Sequence, residues 1–463
     1  MTGPTDATAG RTYITARADG LYIDEVRATA IAERHGTPVS VIALNQVRAN
    51  LDRWRTALAS SWPAGPTAVF ASFKANTSLA LWRHLDAVGA GCDVCGEHEL
   101  RAALEIGIDP ERISLNGPTK SATTLDLAVR TGVKIVVDSL DELLRTAAIA
   151  SRHSRQVQVR LRLRPWLDDT VVASDFSPAT PAHLAIHDYR AGIPAADIAQ
   201  CVALVDQDPN LGLTGIHAHI SRQTTHLPFW SAFGRWMADA ADSVITASSR
   251  SAISEVSFGG GYAIPADPTG QATERRSTPA PAPELYLQAM LGAFAGRLRE
   301  LRLPVEGLRV EIEPGRAIFG DAGVHLTNVL HVKRQSEPVQ RTFVEVDTSE
   351  VFLADVVWEA SRFDVVVANE PSRPASGTVA ITGVSCGFDV LRGPEPTPTV
   401  QPGDTLAFFD TGAYQDPTAS NFNLLGRPPL VLIDGDTCQL VRARESYNDV
   451  VRREIDGIIE RLP

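Results

Sequence analysis

Short apolar runs alternate with longer amphipathic stretches along the first two thirds of the chain. The runs are rich in β-branched residues, and apolar residues recur every three or four positions in the stretches between them. In chain order, runs and stretches occupy residues 67–73, 78–90, 113–115, 122–131, 134–137, 140–151, 157–163, 213–219, 230–248, 255–258, 284–301 and 309–312. About eight such units predict a parallel sheet with right-handed crossovers, and a (β/α)8 barrel of the TIM type is favoured over an open doubly wound sheet.

Beyond Arg316 the helical periodicity gives way to β-rich sequence. Strand-like segments there are separated by clusters of Pro and Gly, which is typical of a separate β domain, either a barrel or a sandwich. These segments occupy residues 324–332, 341–346, 364–367, 378–382, 405–409 and 430–433. We therefore expect a disordered N-terminus over 1–12, a barrel over 39–316, and a β-rich domain formed by 13–38 together with 317–463.

Two segments rich in Pro, Thr, Ala and Asp interrupt this pattern, at 166–181 and 267–283. Their composition predicts long surface insertions rather than core. Either insertion is compatible with a lid over a site, and an ordinary surface loop is the simpler interpretation.

Composition and charge narrow the class of protein. The chain has 463 residues, a net charge of −12 and 44% hydrophobic residues, which fits a globular protein of two domains. This charge argues against binding to nucleic acid, because the phosphate backbone requires a basic surface. The longest apolar runs are far too short to cross a bilayer, and the first residues lack the apolar core of a signal peptide. We expect a cytoplasmic protein with no membrane partner.

The five cysteines are Cys92, Cys95, Cys201, Cys386 and Cys438. This odd and sparse set suits a reducing compartment better than a disulfide framework. Cys92 and Cys95 form a lone CxxC pair with no second pair at metal-ligand spacing, so we interpret them as structural thiols and expect no metal.

Three motifs that carry candidate chemistry each follow a strand-like run. A lysine at the carboxyl end of a barrel strand lies where this fold builds active sites, and a desolvated amine there is a nucleophile. Successive glycines let backbone N–H groups approach an anion. Each motif alone also has a plain interpretation, as an exposed lysine, a tight turn or a surface ion pair. The motifs are Phe73-Lys74-Ala75-Asn76, Phe258-Gly259-Gly260-Gly261-Tyr262 and Glu313-Pro314-Gly315-Arg316.

Together with further text, these motifs resemble the fold-type III decarboxylases that depend on pyridoxal 5'-phosphate (PLP), which include the diaminopimelate, ornithine and arginine decarboxylases. The resemblance runs in order from about residue 70 to 423 and implies an alanine-racemase-like barrel followed by a β domain. The further matching pieces are Gly91-Cys92-Asp93 with Glu99, Asn116-Gly117-Pro118-Thr119-Lys120, Leu161-Arg162, His217-Ala218-His219-Ile220, Cys386 with Asp389, Asp410-Thr411-Gly412-Ala413-Tyr414 and Ser420-Asn421-Phe422-Asn423.

The resemblance implies a role for each cofactor-binding position. Lys74 would form the Schiff base with PLP, and His219 would stack on the pyridine ring. Glu313 would pair with the pyridine nitrogen and keep it protonated, which favours decarboxylation because the ring then accepts electrons fully. The other implied cofactor residues surround the phosphate or orient the ring: Asp93, Arg162, Gly259, Gly260, Gly261, Gly315, Arg316 and Tyr414.

Cys386 is implied to protonate Cα after CO2 has left, and to come from the partner subunit. A thiol suits this role because its pKa can be tuned to neutral pH. Outside this motif, a buried small hydrophobe would be the usual interpretation. The resemblance therefore implies a homodimer with active sites at the subunit interface.

The sequence departs from the family pattern around Cys386. The family places an acid directly after this cysteine to bind a distal amine, but here Gly387 and Phe388 precede Asp389. Residues 351–354 likewise lack the arginine with which relatives often bind a distal carboxylate. Burying the distal ammonium group of a substrate without a charged partner would cost roughly several kcal/mol of binding free energy. These departures put ordinary diamino-acid specificity in doubt.

Four residues remain as candidate substrate contacts. Glu359 and Asp389 are acids for a distal cation, Phe388 makes the pocket more apolar, and Arg222 stands where relatives usually carry a small residue. We hypothesise an amino-acid substrate bulkier or less charged than diaminopimelate, such as an acylated or conjugated diamino acid.

Two other functions use the same residues. A PLP-dependent racemase or epimerase would share Lys74 but break the Cα–H bond, and the sequence does not show how the substrate is held. A non-catalytic PLP-binding homologue is the second alternative. Such carriers are usually short barrels without a β domain, and this chain keeps both Lys74 and the glycine motif.

Overall fold

The computed structural model describes residues 11–167, 189–250, 253–264, 280–359 and 361–454. The chain divides into two compact units, one formed by Val47–Asp321 and the other by Met1–Gln46 together with Ala322–Pro463. The expected insertions at 166–181 and 267–283 fall largely outside the described residues, as does most of the N-terminus expected to be disordered.

The strands of the described residues, in chain order, are β1 (Ile14–Arg17), β2 (Gly20–Ile23), β3 (Val26–Arg27), β4 (Val39–Ala43), β5 (Thr67–Ser72), β6 (Gly91–Val94), β7 (Ile113–Leu115), β8 (Lys134–Val137), β9 (Val157–Arg162), β10 (Leu211–His217), β11 (Glu255–Ser257), β12 (Arg309–Ile312), β13 (Gly323–Gln335), β14 (Arg341–Val346), β15 (Val365–Val367), β16 (Ala375–Thr382), β17 (Val390–Pro398), β18 (Thr405–Phe409), β19 (Leu430–Asp434) and β20 (Thr437–Arg442).

The described α-helices are Ala28–His35, Leu44–Ser61, Leu79–Ala87, Glu97–Ile106, Ala122–Thr131, Leu140–Arg152, Ile198–Gln207, Leu227–Ala247, Pro283–Glu300, Arg316–Phe319, Asp355–Trp358, Gln415–Thr418 and Tyr447–Val451.

Strands β5 to β12 form a closed, parallel eight-stranded barrel. Each strand pairs with its neighbour in sequence, and β12 pairs with β5 to complete the ring. The predicted (β/α)8 barrel with a second β domain is therefore confirmed. Because all eight strands are parallel, their carboxyl ends meet at one rim.

Serine caps explain why several barrel helices begin where they do. The side chains of Ser78, Ser121 and Ser139 each accept a hydrogen bond from a backbone N–H in the first turn of the helix that follows. Such a cap satisfies one of the four N–H groups that a helix start leaves without a partner, which stabilises the helix by about 1 kcal/mol. The caps fix short strand-to-helix turns at the carboxyl rim.

A buried ionic cluster lies toward the amino ends of the barrel strands. Arg160 on β9 is fully buried and contacts both Glu255 on β11, at 2.8 Å through two nitrogen atoms, and Glu311 on β12. Lys134 on β8 adds a contact of 2.6 Å to Glu255, and Arg309 one of 2.6 Å to Glu311. Two buried carboxylates are thus neutralised by cations from β8, β9 and β12.

The other unit contains a three-stranded sheet, β1-β2-β3, and a nine-stranded sheet. The larger sheet runs in the order β17-β16-β14-β13-β4-β19-β20, and β18 pairs with both β13 and β15. Two apolar clusters form its core, one around Val41, Val324 and Phe409 and the other around Val344 and Phe408.

The boundary between the units differs from the expected one. Strand Val39–Ala43, which the alternating pattern assigned to the barrel, pairs with β13 and β19 in the sheet of the other unit. The expected disorder extended to residue 12, but Arg11 is ordered. It is buried, and its Nε donates a 3.1 Å hydrogen bond to Asp410. Both segments are held by partners more than 280 residues away in the chain.

Among the helices of the described residues, none has the length and apolar character needed to cross a membrane.

Replacement of Arg160 by Met is expected to lower the free energy of unfolding by about 3–5 kcal/mol, because it removes the fully buried cation that bonds to both Glu255 and Glu311. Urea denaturation followed by circular dichroism measures the loss. Arg101→Met is the matched control, since Arg101 forms an exposed pair with Glu97 at 2.8 Å and its loss should cost less than about 1 kcal/mol. Equal effects of the two substitutions would contradict a structural role for the cluster.

Candidate active site

Lys74 lies at the carboxyl rim of the barrel, on the 3-10 helix Phe73–Ala75 that directly follows β5. Its Nζ donates hydrogen bonds to Asp93 Oδ2 at 2.7 Å and to Ser72 Oγ at 2.6 Å. The amine is therefore held at the rim by one carboxylate and one hydroxyl group.

Asp93 on β6 organises the groups around Lys74. It is buried, and its Oδ2 accepts a 2.7 Å bond from Ser72 Oγ while its Oδ1 accepts a 2.7 Å bond from Asn116 Nδ2. Arg162, the last residue of β9, is also buried and lies 3.5 Å from Asp138. These side chains come from successive strands, so the barrel itself sets their spacing.

His219 follows β10 and contacts the glycine motif. Its Nδ1 accepts a 3.0 Å hydrogen bond from the backbone N–H of Gly260. Burial, together with the positive charges of Arg162 and Lys74, lowers the pKa of His219 to about 3. The imidazole is therefore neutral at physiological pH, with its proton on Nε2.

The three glycines after β11 leave no space for side chains. A Cβ on Gly260 would lie 2.2 Å from the backbone oxygen of Glu313, and one on Gly261 would lie 2.2 Å from the backbone oxygen of Ser221. Gly259 and Gly261 also have positive φ angles of 63° and 98°, which favour glycine. The loop is thus a backbone surface at the rim that a group needing N–H contacts can approach.

The carboxylate of Glu313 is buried directly after β12. His217 Nε2 lies 3.0 Å from its Oε2, and Ser257 Oγ donates a 3.0 Å bond to its Oε1. Burial alone would raise the pKa of Glu313, but hydrogen bonding to His217 and Asn116 and the positive charge of Lys74 outweigh burial and lower that pKa below its ordinary value. Glu313 therefore carries a negative charge at the rim.

Gly315 and Arg316 follow Glu313, where Gly315 precedes the short helix Arg316–Phe319. The Arg316 side chain is buried, whereas Arg222, after the His219 segment, is exposed.

The remaining candidate residues lie in the other unit. Cys386 is exposed, its backbone N–H donates a 3.0 Å bond to Asn423 Oδ1, and Asn423 Nδ2 donates a 3.3 Å bond to Cys386 Sγ. Phe388 is 97% exposed. One asparagine therefore holds both the backbone and the thiol of this loop.

The Asp389 carboxylate is bound by backbone N–H groups. Asp389 is buried, and its two carboxylate oxygens accept bonds from the backbone N–H groups of Glu350 at 2.7 Å and Ser385 at 2.6 Å. This geometry favours a role for Asp389 in holding its own loop together, rather than the expected contact with a substrate cation. Glu359 is buried, and Tyr414 has a positive φ of 65° and begins the helix Gln415–Thr418.

The barrel brings together most of the residues that the sequence singled out. Those that lie at its carboxyl rim are Lys74, Asp93, Arg162, His219, Gly259, Gly260, Gly261, Glu313, Gly315 and Arg316. Four residues for which the sequence predicts no role also contact these side chains: Ser72, Asn116, His217 and Ser257. Strand alternation was the available signal for His217, since residues two apart face the same side of a strand.

Comparisons with known proteins agree with this geometry. Residues 44–320 match the family described as "Pyridoxal-dependent decarboxylase, pyridoxal binding domain". The chain is 32% identical to a diaminopimelate decarboxylase of Actinosynnema pretiosum, covering 94% of this chain and 92% of that one. It is 30% identical to that of Archaeoglobus fulgidus, covering 94% and 97%.

A solved structure shares the fold. The crystal structure of diaminopimelate decarboxylase from Methanocaldococcus jannaschii in co-complex with L-lysine has a TM-score of 0.86, with 23% identity, covering 97% of this chain and 99% of that one. This likeness concerns the fold alone.

The residues at the rim fit PLP. An amine that is able to react lies at Lys74, a backbone surface without side chains lies at the glycine loop, and a buried carboxylate lies at Glu313. These are the three groups that an aldehyde, a phosphate and a pyridine nitrogen require. On these residues and on the family match, the chain belongs to the fold-type III, PLP-dependent amino-acid decarboxylases.

Proposed function

We propose that the chain decarboxylates an amino acid with a bulky or acylated distal group, such as a conjugated diamino acid, rather than free diaminopimelate. The observation that carries this proposal is the environment of Asp389. Its two oxygens accept the N–H groups of Glu350 and Ser385, so this acid closes a loop. Asp389 is also only 2% exposed, so a distal ammonium group could reach this carboxylate only by displacing the loop.

The loop around Cys386 supports the same specificity. Gly387 and Phe388 follow the cysteine, so its next neighbours carry no charge, and Phe388 is 97% exposed. Trp358 is 66% exposed and adds a second large apolar side chain near Glu359 in sequence. Such side chains suit an apolar group on the substrate better than a second ammonium or carboxylate.

Diaminopimelate itself is the second candidate substrate. The relatives at 30–32% identity are diaminopimelate decarboxylases matched over nearly their whole length, and this favours it. The two candidates differ at the distal end of the substrate, so a comparison of substrates separates them.

PLP, when bound, draws electrons from Cα and so allows the α-carboxylate to leave as CO2. In our proposal Lys74 binds this cofactor covalently. Asp93 and Ser72 hold Nζ in place. Nζ must lose a proton before Nζ can act as a nucleophile, and the Asp93 carboxylate takes that proton.

Glu313, His219 and the glycine loop hold the cofactor in this proposal. The ionised Glu313 keeps a proton on the pyridine nitrogen, which increases the electron demand of the ring. The neutral His219 imidazole would pack against the ring without adding a positive charge. The backbone of Gly259–Gly261, with Arg316, would bind the phosphate.

Cys386 completes the reaction in this proposal by donating the proton that Cα needs after CO2 has left. Its thiol is exposed and accepts a hydrogen bond from Asn423, which orients Sγ. We propose that it serves the site of a partner subunit, so that the active form is a homodimer. All five cysteines are free, which suits a reducing cytoplasm.

Gly260→Ala is expected to weaken PLP binding by about tenfold or more, because the added Cβ would lie 2.2 Å from the Glu313 backbone oxygen and displace the loop. Titration of the apoenzyme with PLP, followed by absorbance, measures Kd. The control is Gly292→Ala in the helix Pro283–Glu300, where a Cβ has no neighbour within 4 Å. An unchanged Kd in Gly260→Ala would refute the role of the loop.

The substrate is tested by mass spectrometry of holoenzyme reactions in D2O. We expect loss of CO2 with one deuterium gained at Cα, and a kcat/KM for acylated lysine or ornithine at least about tenfold above that for meso-diaminopimelate. Faster turnover of meso-diaminopimelate would refute the proposed specificity. Deuterium exchange without loss of mass would identify racemisation instead.

Hybrid dimers test whether Cys386 acts across the interface. A dimer of one Lys74→Ala chain and one Cys386→Ala chain, purified through two different tags, should recover roughly half of the wild-type activity through one intact site. The control pairs a wild-type chain with a Lys74→Ala/Cys386→Ala chain and should be inactive. The reverse pattern, with an inactive hybrid and an active control, would place Cys386 in its own subunit's site.

A further inference from the structure

Glu313 is held on both sides by side chains of the same barrel. Its Oε2 lies 3.0 Å from His217 Nε2, and its Oε1 accepts a 3.0 Å bond from Ser257 Oγ. The exposed fractions of Glu313, His217 and Ser257 are 6%, 1% and 0%. Neither contact depends on a mobile surface side chain.

The three residues lie on or directly after adjacent strands, near the carboxyl rim. His217 and Ser257 are directly opposite each other as the last residues of β10 and β11, and Glu313 follows β12. The backbone N–H of Glu313 also donates a 2.8 Å bond to the Gly259 oxygen. Because main-chain pairing fixes all three, the carboxylate has one favoured orientation.

The other nitrogen of His217 indicates which protonation state the histidine adopts. His217 Nδ1 is buried and has no hydrogen-bond partner among the described residues. A cationic imidazole would bury an N–H donor without an acceptor, at a cost of about 1–3 kcal/mol or more. A neutral imidazole with its proton on Nε2 donates to Glu313 and leaves only a lone pair at Nδ1.

We propose that His217 and Ser257 are positioning residues that hold Glu313 as an ionised carboxylate in one orientation, with His217 acting as a neutral donor. This inference rests on the proposed role of Glu313 at the pyridine nitrogen. Two hydrogen bonds to a carboxylate favour its charged form. A carboxylate accepts about four hydrogen bonds in total, so capacity remains for the ring N–H.

The neutrality of His217 matters for the chemistry. A cation beside Glu313 would cancel most of the charge that keeps the pyridine nitrogen protonated. A neutral donor orients the carboxylate and leaves its full charge directed at the ring. His217 thus affects the reaction only through Glu313, without contact to substrate.

The experiment uses holoenzyme loaded with PLP enriched in 15N at the pyridine nitrogen. The 15N chemical shift distinguishes a protonated from an unprotonated ring. We expect a protonated signal in the wild type and a move toward the unprotonated shift in His217→Phe and in Ser257→Ala. Turnover should fall by about 10- to 100-fold in kcat with little change in KM. His217→Gln, which restores an N–H donor, should recover part of the protonated 15N signal and part of kcat.

Glu313→Gln separates the two claims. If it leaves the protonated signal unchanged, the proposed role of Glu313 is refuted. If it removes the signal while His217→Phe and Ser257→Ala both keep it, only the present inference is overturned. His325→Gln is the control, since His325 is an equally buried histidine of the other unit and should leave the signal unchanged. Ser257→Ala removes a single oxygen atom and provides the test even if His217→Phe does not fold.

Discussion

The pairing of β12 with β5 closes the barrel, and the candidate site depends on this closure. Val310 is opposite Thr67 in this pairing, and the backbone N–H of Ser72 donates a 3.1 Å bond to the Pro314 oxygen beyond the strand ends. The two segments that leave these strands carry Lys74 and Glu313. An amine and a carboxylate from distant parts of the sequence are therefore neighbours because the sheet is a ring.

The two ends of this ring use charge differently. Toward the amino ends, Arg160, Lys134 and Arg309 together neutralise Glu255 and Glu311 through ion pairs. At the carboxyl rim, Glu313 receives bonds from an imidazole and a hydroxyl, so its charge remains available. A cluster of paired opposite charges suits stability, whereas a carboxylate held by neutral donors suits a charged ligand.

Much of the barrel was predictable because its signals are local. Each strand is an apolar run, each helix repeats within a dozen residues, and the glycine loop and Lys74 follow strands directly. The placement of Val39–Ala43 was not predictable, because the apolar sequence of a strand is the same whether the strand joins a barrel or another sheet. Only its partners, which follow after residue 320, decide which sheet it joins.

The site shows a similar limit. The sequence shows an acid at Asp389 and so suggests a contact to a substrate cation. Only the backbone geometry shows that the N–H groups of Glu350 and Ser385 donate to its two oxygens. His217 was visible in the sequence next to His219, yet its bond to Glu313 depends on β10 and β12 lying on either side of β11. Contacts of this kind arise from strand order, which sequence patterns do not encode locally.

The position of β4 has a consequence for synthesis on the ribosome. This strand pairs with β19, so its partner emerges nearly four hundred residues later. At about 5–20 residues per second, the edge that pairs with β19 waits roughly 20–80 s, and the other edge also waits until the barrel has been translated and β13 emerges. The barrel can therefore complete folding first, and the early strand is a natural target for chaperones that protect exposed β-edges until the last part of the chain is made.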